Sequence, residues 1–238
     1  SQISALNTKQ ISLLSPRFVS SLTSAQVAAL ETDDFSVLET LQLVALNSSQ
    51  LRSLSTAHIQ VFSSAKISFF KNSQAAALTT TQITSVPTDA LQALASGQIR
   101  ELTSSQIRAL NTLQTSSLNS DQLRALGSSQ AAALTTSQIA GIATEQAKAL
   151  SASFISSLSS TQIAAFETDD LRAIETLAIA SLRTSQIRAL ATEQLGAFGP
   201  ALFLGLNTAQ INSLTSSQMS TISTDLVSLL SSAQIRSL

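Results

Sequence analysis

The side chains able to do chemistry are few, and most recur at a fixed spacing. His58 is the single histidine and there is no cysteine. Imidazole and thiolate ligands in that number do not build a transition-metal site. Carboxylates gather twice, as Glu31, Asp33, Asp34 and Glu39 and again as Glu167, Asp169, Asp170 and Glu175. Oxygen clusters of this kind hold hard cations such as calcium, so Glu31, Asp33, Asp34, Glu167, Asp169 and Asp170 are the cation candidates. No glycine-rich ligand loop accompanies them, and acidic residues at helix starts account for the same pattern. Arg52, Arg100, Arg108, Arg124, Lys148, Arg172, Arg188 and Arg236 share one position of an eight-residue cycle. The arginines of that ladder are the candidate interaction face, for phosphate or an acidic partner; the bland reading is a solvated face. Ser and Thr are abundant and regular, which suits helix capping and also suits binding of ordered water, glycans or ice. There is no Gly-x-Ser-x-Gly elbow, no Ser/His/Asp constellation and no glycine-rich phosphate loop. We therefore expect no enzyme and no cofactor.

These residues sit on a repeat. A large apolar residue recurs every eight positions from Leu6 to Leu238 and fills all thirty slots, twenty-two of them with Leu. The unit reads Leu-x-Ser/Thr-x-Gln-Ile-x-Ala, as in Leu102 to Ala109. The Ile slot is apolar in every octad except at Thr115, counting Ala75, Ala131 and Ala147 as apolar. An unbroken short period marks a repeat architecture. A continuous helix cannot carry it, because eight residues overshoot two turns by about 80° and the apolar stripe would wind into water. One break per octad removes the conflict. The apolar pair is spaced by three, which suits a helix and not the alternation of a strand. Gly and Pro are too few for the corners of most β-solenoids, and Ala, Leu and Gln favour helix.

The expected fold is all-α: a solenoid of very short helices, one per octad, with Ile and Leu on the inner face. The Gln slot departs from Gln at positions three octads apart, which points to about three octads per coil. Thr23 with Gln26 and Thr103 with Gln106 have the spacing of a capping box. The cap is either this residue or the more regular hydroxyl slot that follows it. Acids fall early in the octad and the basic slot late, which complements a helix dipole. Asp121–Arg124, Glu145–Lys148 and Asp169–Arg172 form i,i+3 pairs.

A longer period lies above the octad. Glu31-Thr-Asp-Asp34 returns as Glu167-Thr-Asp-Asp170, and Glu39-Thr-Leu41 as Glu175-Thr-Leu177, each seventeen octads on. Residues 1–238 are thus read as one octapeptide-repeat solenoid with a large duplication, residues 14–149 against 150–238. Ser1 starts in mid-repeat and Leu238 ends on a core slot, so a piece of a longer array is expected. Net charge is −1 and 11% of residues are charged, which makes no electrostatic case for nucleic acid or an anionic membrane. No apolar run approaches the ~18 residues of a membrane span.

Tandem runs such as Leu134-Thr-Thr-Ser-Gln-Ile-Ala140 and Leu102-Thr-Ser-Ser-Gln-Ile-Arg-Ala-Leu110 resemble the octapeptide repeats of very long bacterial surface or secreted proteins. Those proteins are described as adhesin-like, haemagglutinin-like or haem-utilisation-like. The resemblance covers the whole chain and implies a secreted or surface-displayed bacterial protein; nothing in these residues supports haem. Two functions follow as expectations. One is a stiff stalk, spacer or fibre-forming segment, with neighbouring repeats or further copies as partners. The other is a binding module that meets a protein, a glycan or an ordered surface through its hydroxyl and Arg rows.

Overall fold

The computed structural model describes residues 2–196 and 198–238. A 3-10 turn at Gln2–Ala5 is followed, among the described residues, by 29 α-helices of four to six residues, one per octad. The fold is an all-α solenoid. It divides into two compact units, Ser1–Leu118 and Asn119–Leu238, a boundary that does not coincide with the edges of the duplicated blocks.

Each octad folds by the same local steps. The residue after the Leu slot takes an extended conformation and caps the helix, as Asn47 does at φ −87°, ψ 169°. The hydroxyl slot is the next residue, the first of the helix proper. The Ile slot is buried in the middle. The Leu slot lies just beyond the helix, often with extended backbone, as at Leu46 (φ −61°, ψ 132°). This refines the expectation that Ile and Leu share one helix face: Ile is helical, whereas Leu closes the turn, its N–H still donating to the Ile-slot carbonyl three residues back. No described residue has positive φ. The corners therefore need no glycine, which explains why only 6 occur in 238 residues.

Helices this short do not persist alone. Within each unit they pack on the helix three octads away. In unit 1, Ser48–Arg52 packs on Asn72–Ala77, and that helix on Ser96–Glu101. In unit 2, Ser120–Ala125, Thr144–Ala147, Thr168–Ala173 and Thr192–Gly196 form a comparable stack. Three octads thus make a coil, as the spacing of the irregular octads suggests. Ile11, Val27, Leu51, Ile59, Ile107 and Ile187 are fully buried in the cores, with the Leu slots beside them. Each such side chain contributes about 1.5–3 kcal/mol when removed from water. Thr115, the polar exception, is equally buried, and its hydroxyl donates to Asn111 O at 3.1 Å.

The small residue before Leu has a specific neighbour. Ser53 Oγ donates to Ser24 O at 2.9 Å, and Ser181 Oγ to Ala152 O at 3.0 Å, each one coil back. At the same place Gly205 is so close that an added Cβ would lie 2.6 Å from Thr176 Cγ2. A large side chain has room there only by turning outward, as half-exposed Phe69 does.

Candidate functional site

The most regular polar arrangement is a bracket built by the Gln slot. Gln50 shows it in full. Asn47 N–H donates to Gln50 Oε1 at 2.8 Å, and Asn47 Oδ1 accepts from Gln50 N–H at 3.0 Å, closing a capping box. Gln50 Nε2 then donates to Val19 O at 2.9 Å and Leu22 O at 2.8 Å, one coil earlier. One amide thus caps its own helix and ties off the carbonyl end of the helix below. Gln82 reaches Leu51 O and Leu54 O, Gln114 reaches Ile83 O and Val86 O, and in unit 2 Gln218 reaches Ile187 O and Leu190 O. The two acceptors stand in the same register behind each of these Gln residues. No buried side-chain nitrogen or oxygen among the described residues lacks a partner. Because Gln covers the cap N–H, the capping residue itself varies: Ala95 and Arg183 N–H both donate to their Gln at 2.6 Å without an accepting side chain of their own.

His58 occupies a Gln slot and rebuilds the bracket. Ser55 N–H donates to Nδ1 at 3.1 Å, and Nε2 lies 2.9 Å from Leu30 O. A carbonyl only accepts, so the proton is placed on Nε2. The ring is buried and lies 4.8 Å from that of Phe35. This is a structural use of the single histidine, with both ring nitrogens engaged.

The carboxylate candidates do not converge. Among the described residues no group of three or more acidic or histidine side chains is placed to hold a metal ion. Asp34 and Asp170 are buried in Gln slots, while Asp33 and Asp169 point outward from their helices. Asp34 accepts from Glu31 N–H at 3.1 Å. Asp170 accepts from the Thr144 hydroxyl of the preceding coil at 2.8 Å. Burial pushes the Asp170 carboxyl up, the Thr144 bond opposes this, and Glu167 and Asp169 add to the rise. Glu31, Glu39, Glu167 and Glu175 occupy N-cap positions without a side-chain capping bond.

The basic slot is exposed throughout, but a shared slot is not a shared face, because successive octads turn to different stacks. Arg52 and Arg100 belong to one stack of unit 1, separated by the Asn72–Ala77 helix; Arg108 belongs to another. Arg52 Nε donates to Ala77 O at 3.1 Å. In unit 2, Arg124, Lys148 and Arg172 fall on three consecutive levels of a single stack, whereas Arg188 and Arg236 fall on a different one. The sequence missed this grouping because it depends on knowing the three-octad coil. It also missed Lys66, which stands in a Gln slot and donates from Nζ to Phe35 O at 3.3 Å and to Ser36 O. Burial lowers its pKa.

No described helix is long and apolar enough to cross a membrane. A comparison with curated proteins finds no match. Among solved structures, the leucine-rich repeat-containing protein LegL7 from Legionella pneumophila aligns at 12% identity over 95% of this chain and 90% of that one, with a TM-score of 0.26. A likeness that loose carries no argument. The repeat itself is recognised in part: residues 35–69 and 163–200 match the ALTTAQ repeat family.

Proposed function

We propose that this chain is a non-catalytic structural segment, a stiff spacer or stalk of a secreted or surface-displayed bacterial protein that serves adhesion. The observation that carries the reading is the Gln bracket. The amide side chain that recurs in most octads is spent on joining a coil to the coil before it, as at Gln50, Gln82 and Gln218. Resistance to bending and pulling follows from such joints, since each must break before its coil peels away. The chemistry of the surface points the same way, with hydroxyls and exposed i,i+3 ion pairs in place of a nucleophile held against a base.

The test is made in the parent protein, by replacing this segment with an unrelated solenoid of equal length. Adhesion that survives the exchange supports a spacer. Adhesion lost on exchange, and lost equally when Arg100, Arg108 and Arg124 are neutralised, would replace this reading with direct recognition by the chain.

A further inference from the structure

In unit 2 the helices Ser120–Ala125, Thr144–Ala147 and Thr168–Ala173 pack on one another at consecutive levels. Each level carries an acid and, three residues later, a base. Asp121 lies 3.6 Å from Arg124, Glu145 2.5 Å from Lys148, and Asp169 3.1 Å from Arg172. All six side chains are more than half exposed. The levels share one three-octad spacing, so the acids form a stripe along the stack and the bases form a second stripe beside it. Glu193, on the next helix of the stack, continues the acidic stripe, and Gly196 ends the basic one.

The fold does not demand this pattern. Arg188 and Arg236, on another stack of the same unit, have Ser185 and Ala233 three residues before them. Duplication does not supply it either. The positions seventeen octads before two of the levels hold Lys9 with Ser12 and Asp33 with Ser36.

We propose that this two-striped face is an interface between two copies of the chain, set side by side with their stacks parallel. A half-turn about the stack direction exchanges left with right and leaves each level at its own height. The basic stripe of one copy then faces the acidic stripe of the other at every level. Antiparallel stacks would set acid on acid and base on base. Charge complementarity thus selects both the occupant, a second copy, and its orientation. Exposed pairs are individually weak, so the ladder sets register and direction, and the association is loose and salt-sensitive.

Sedimentation equilibrium of the full chain tests this without any substitution. Self-association is expected at low salt, weakened about tenfold or more at ~0.5 M, where the screening length falls to about 4 Å. The variants R124E/K148E/R172E and D121K/E145K/D169K should each be monomeric alone and should associate when mixed. The chain has no cysteine, so a spin label on Ser120→Cys reports direction. Close Ser120–Ser120 label pairs are expected, and proximity of labels at Ser120 and Thr192 would indicate antiparallel stacks and overturn the assignment. A chain that stays monomeric at low salt, or self-associates equally at high salt, overturns the interface itself.

Discussion

His58 and Gln194 stand seventeen octads apart, at matching places in the duplicated sequence, and do the same work with different chemistry. His58 accepts from Ser55 N–H and lies against Leu30 O; Gln194 accepts from Ala191 N–H at 2.8 Å and donates to Phe166 O at 2.7 Å. These partners are duplicated counterparts of one another, and Gln194 donates besides to Ala164 O at 3.1 Å. The bracket therefore requires an acceptor for its own cap and a donor for the coil below, at a set reach. It does not require an amide. The pair Lys66 and Leu202 marks the limits of that rule. Lys66 supplies the donor alone, while buried Leu202 supplies neither group and packs as an apolar side chain. Asp34 supplies the cap acceptor alone, whereas Asp170 accepts from the Thr144 hydroxyl of the preceding coil.

The comparison is broken most severely by removing both functions from a fully bracketed slot. Gln50→Ala strips a partner from one cap N–H and from Val19 O and Leu22 O in a buried place. With each orphaned group costing ~1–3 kcal/mol, the loss should reach about 3–5 kcal/mol. Denaturant unfolding followed by circular dichroism would show it, together with loss of protection in the residue 16–22 turn by hydrogen exchange. A midpoint that moves by less than ~1 kcal/mol would mean that water replaces the bracket and that it is no structural joint.

An exchange between the two copies sharpens the rule. His58→Gln should change stability by under ~1 kcal/mol, because both bonds can be remade, whereas His58→Ala should cost about 2–3 kcal/mol. The reverse change, Gln194→His, should cost more than His58→Gln, since Leu171 stands where Phe35 flanks His58. Thermal melts of the three variants decide it. If His58→Ala were as mild as His58→Gln, the shared geometry of His58 and Gln194 would have no energetic meaning.

Asp170 tests the acceptor-only case through pH. Its carboxyl is raised chiefly by burial, so the folded state holds the proton more tightly than the unfolded state does. Between the ordinary carboxylate value and the raised one, stability therefore falls as pH rises, and the cost persists at neutral pH. Asp170→Gln should remove that slope and gain about 1 kcal/mol near pH 7 by supplying a donor to the coil below. Melts across the acidic range would reveal the difference; a wild-type chain that loses stability on acidification through that window faster than the variant would reverse the sign.

What the sequence shows of all this divides by range. The helix of each octad is legible because its causes lie within a single repeat: Ile107 and Leu110 for the core, Thr103 and Gln106 for the cap. The cap ambiguity resolves in favour of the more variable residue. It is free to vary because Gln serves its N–H, while some of the regular hydroxyls after it reach the next coil, as Ser64 does to Asp89 and Ser160 to Ser185 O. The carbonyl side of the bracket was illegible, since a backbone acceptor a full coil away leaves no mark on residue type. The faces were illegible for the same reason. Arg124 and Arg188 look equivalent in the octad, and only the stacking of every third helix in unit 2 separates them.

The smallest expected effect bears on that separation. Asp169→Asn removes an exposed i,i+3 pair with Arg172, and Glu145→Gln removes the pair with Lys148. Each should shift stability by no more than about 0.5 kcal/mol, less at high salt. This is the reverse of Gln50: that side chain is hidden and holds coils together, whereas these are open and hold almost nothing. A shift above ~1 kcal/mol in the chain's own unfolding midpoint would make the pairs part of the scaffold. A negligible shift, with self-association weakened in the same samples, leaves the repeated acid–base levels of unit 2 serving contacts outside the chain.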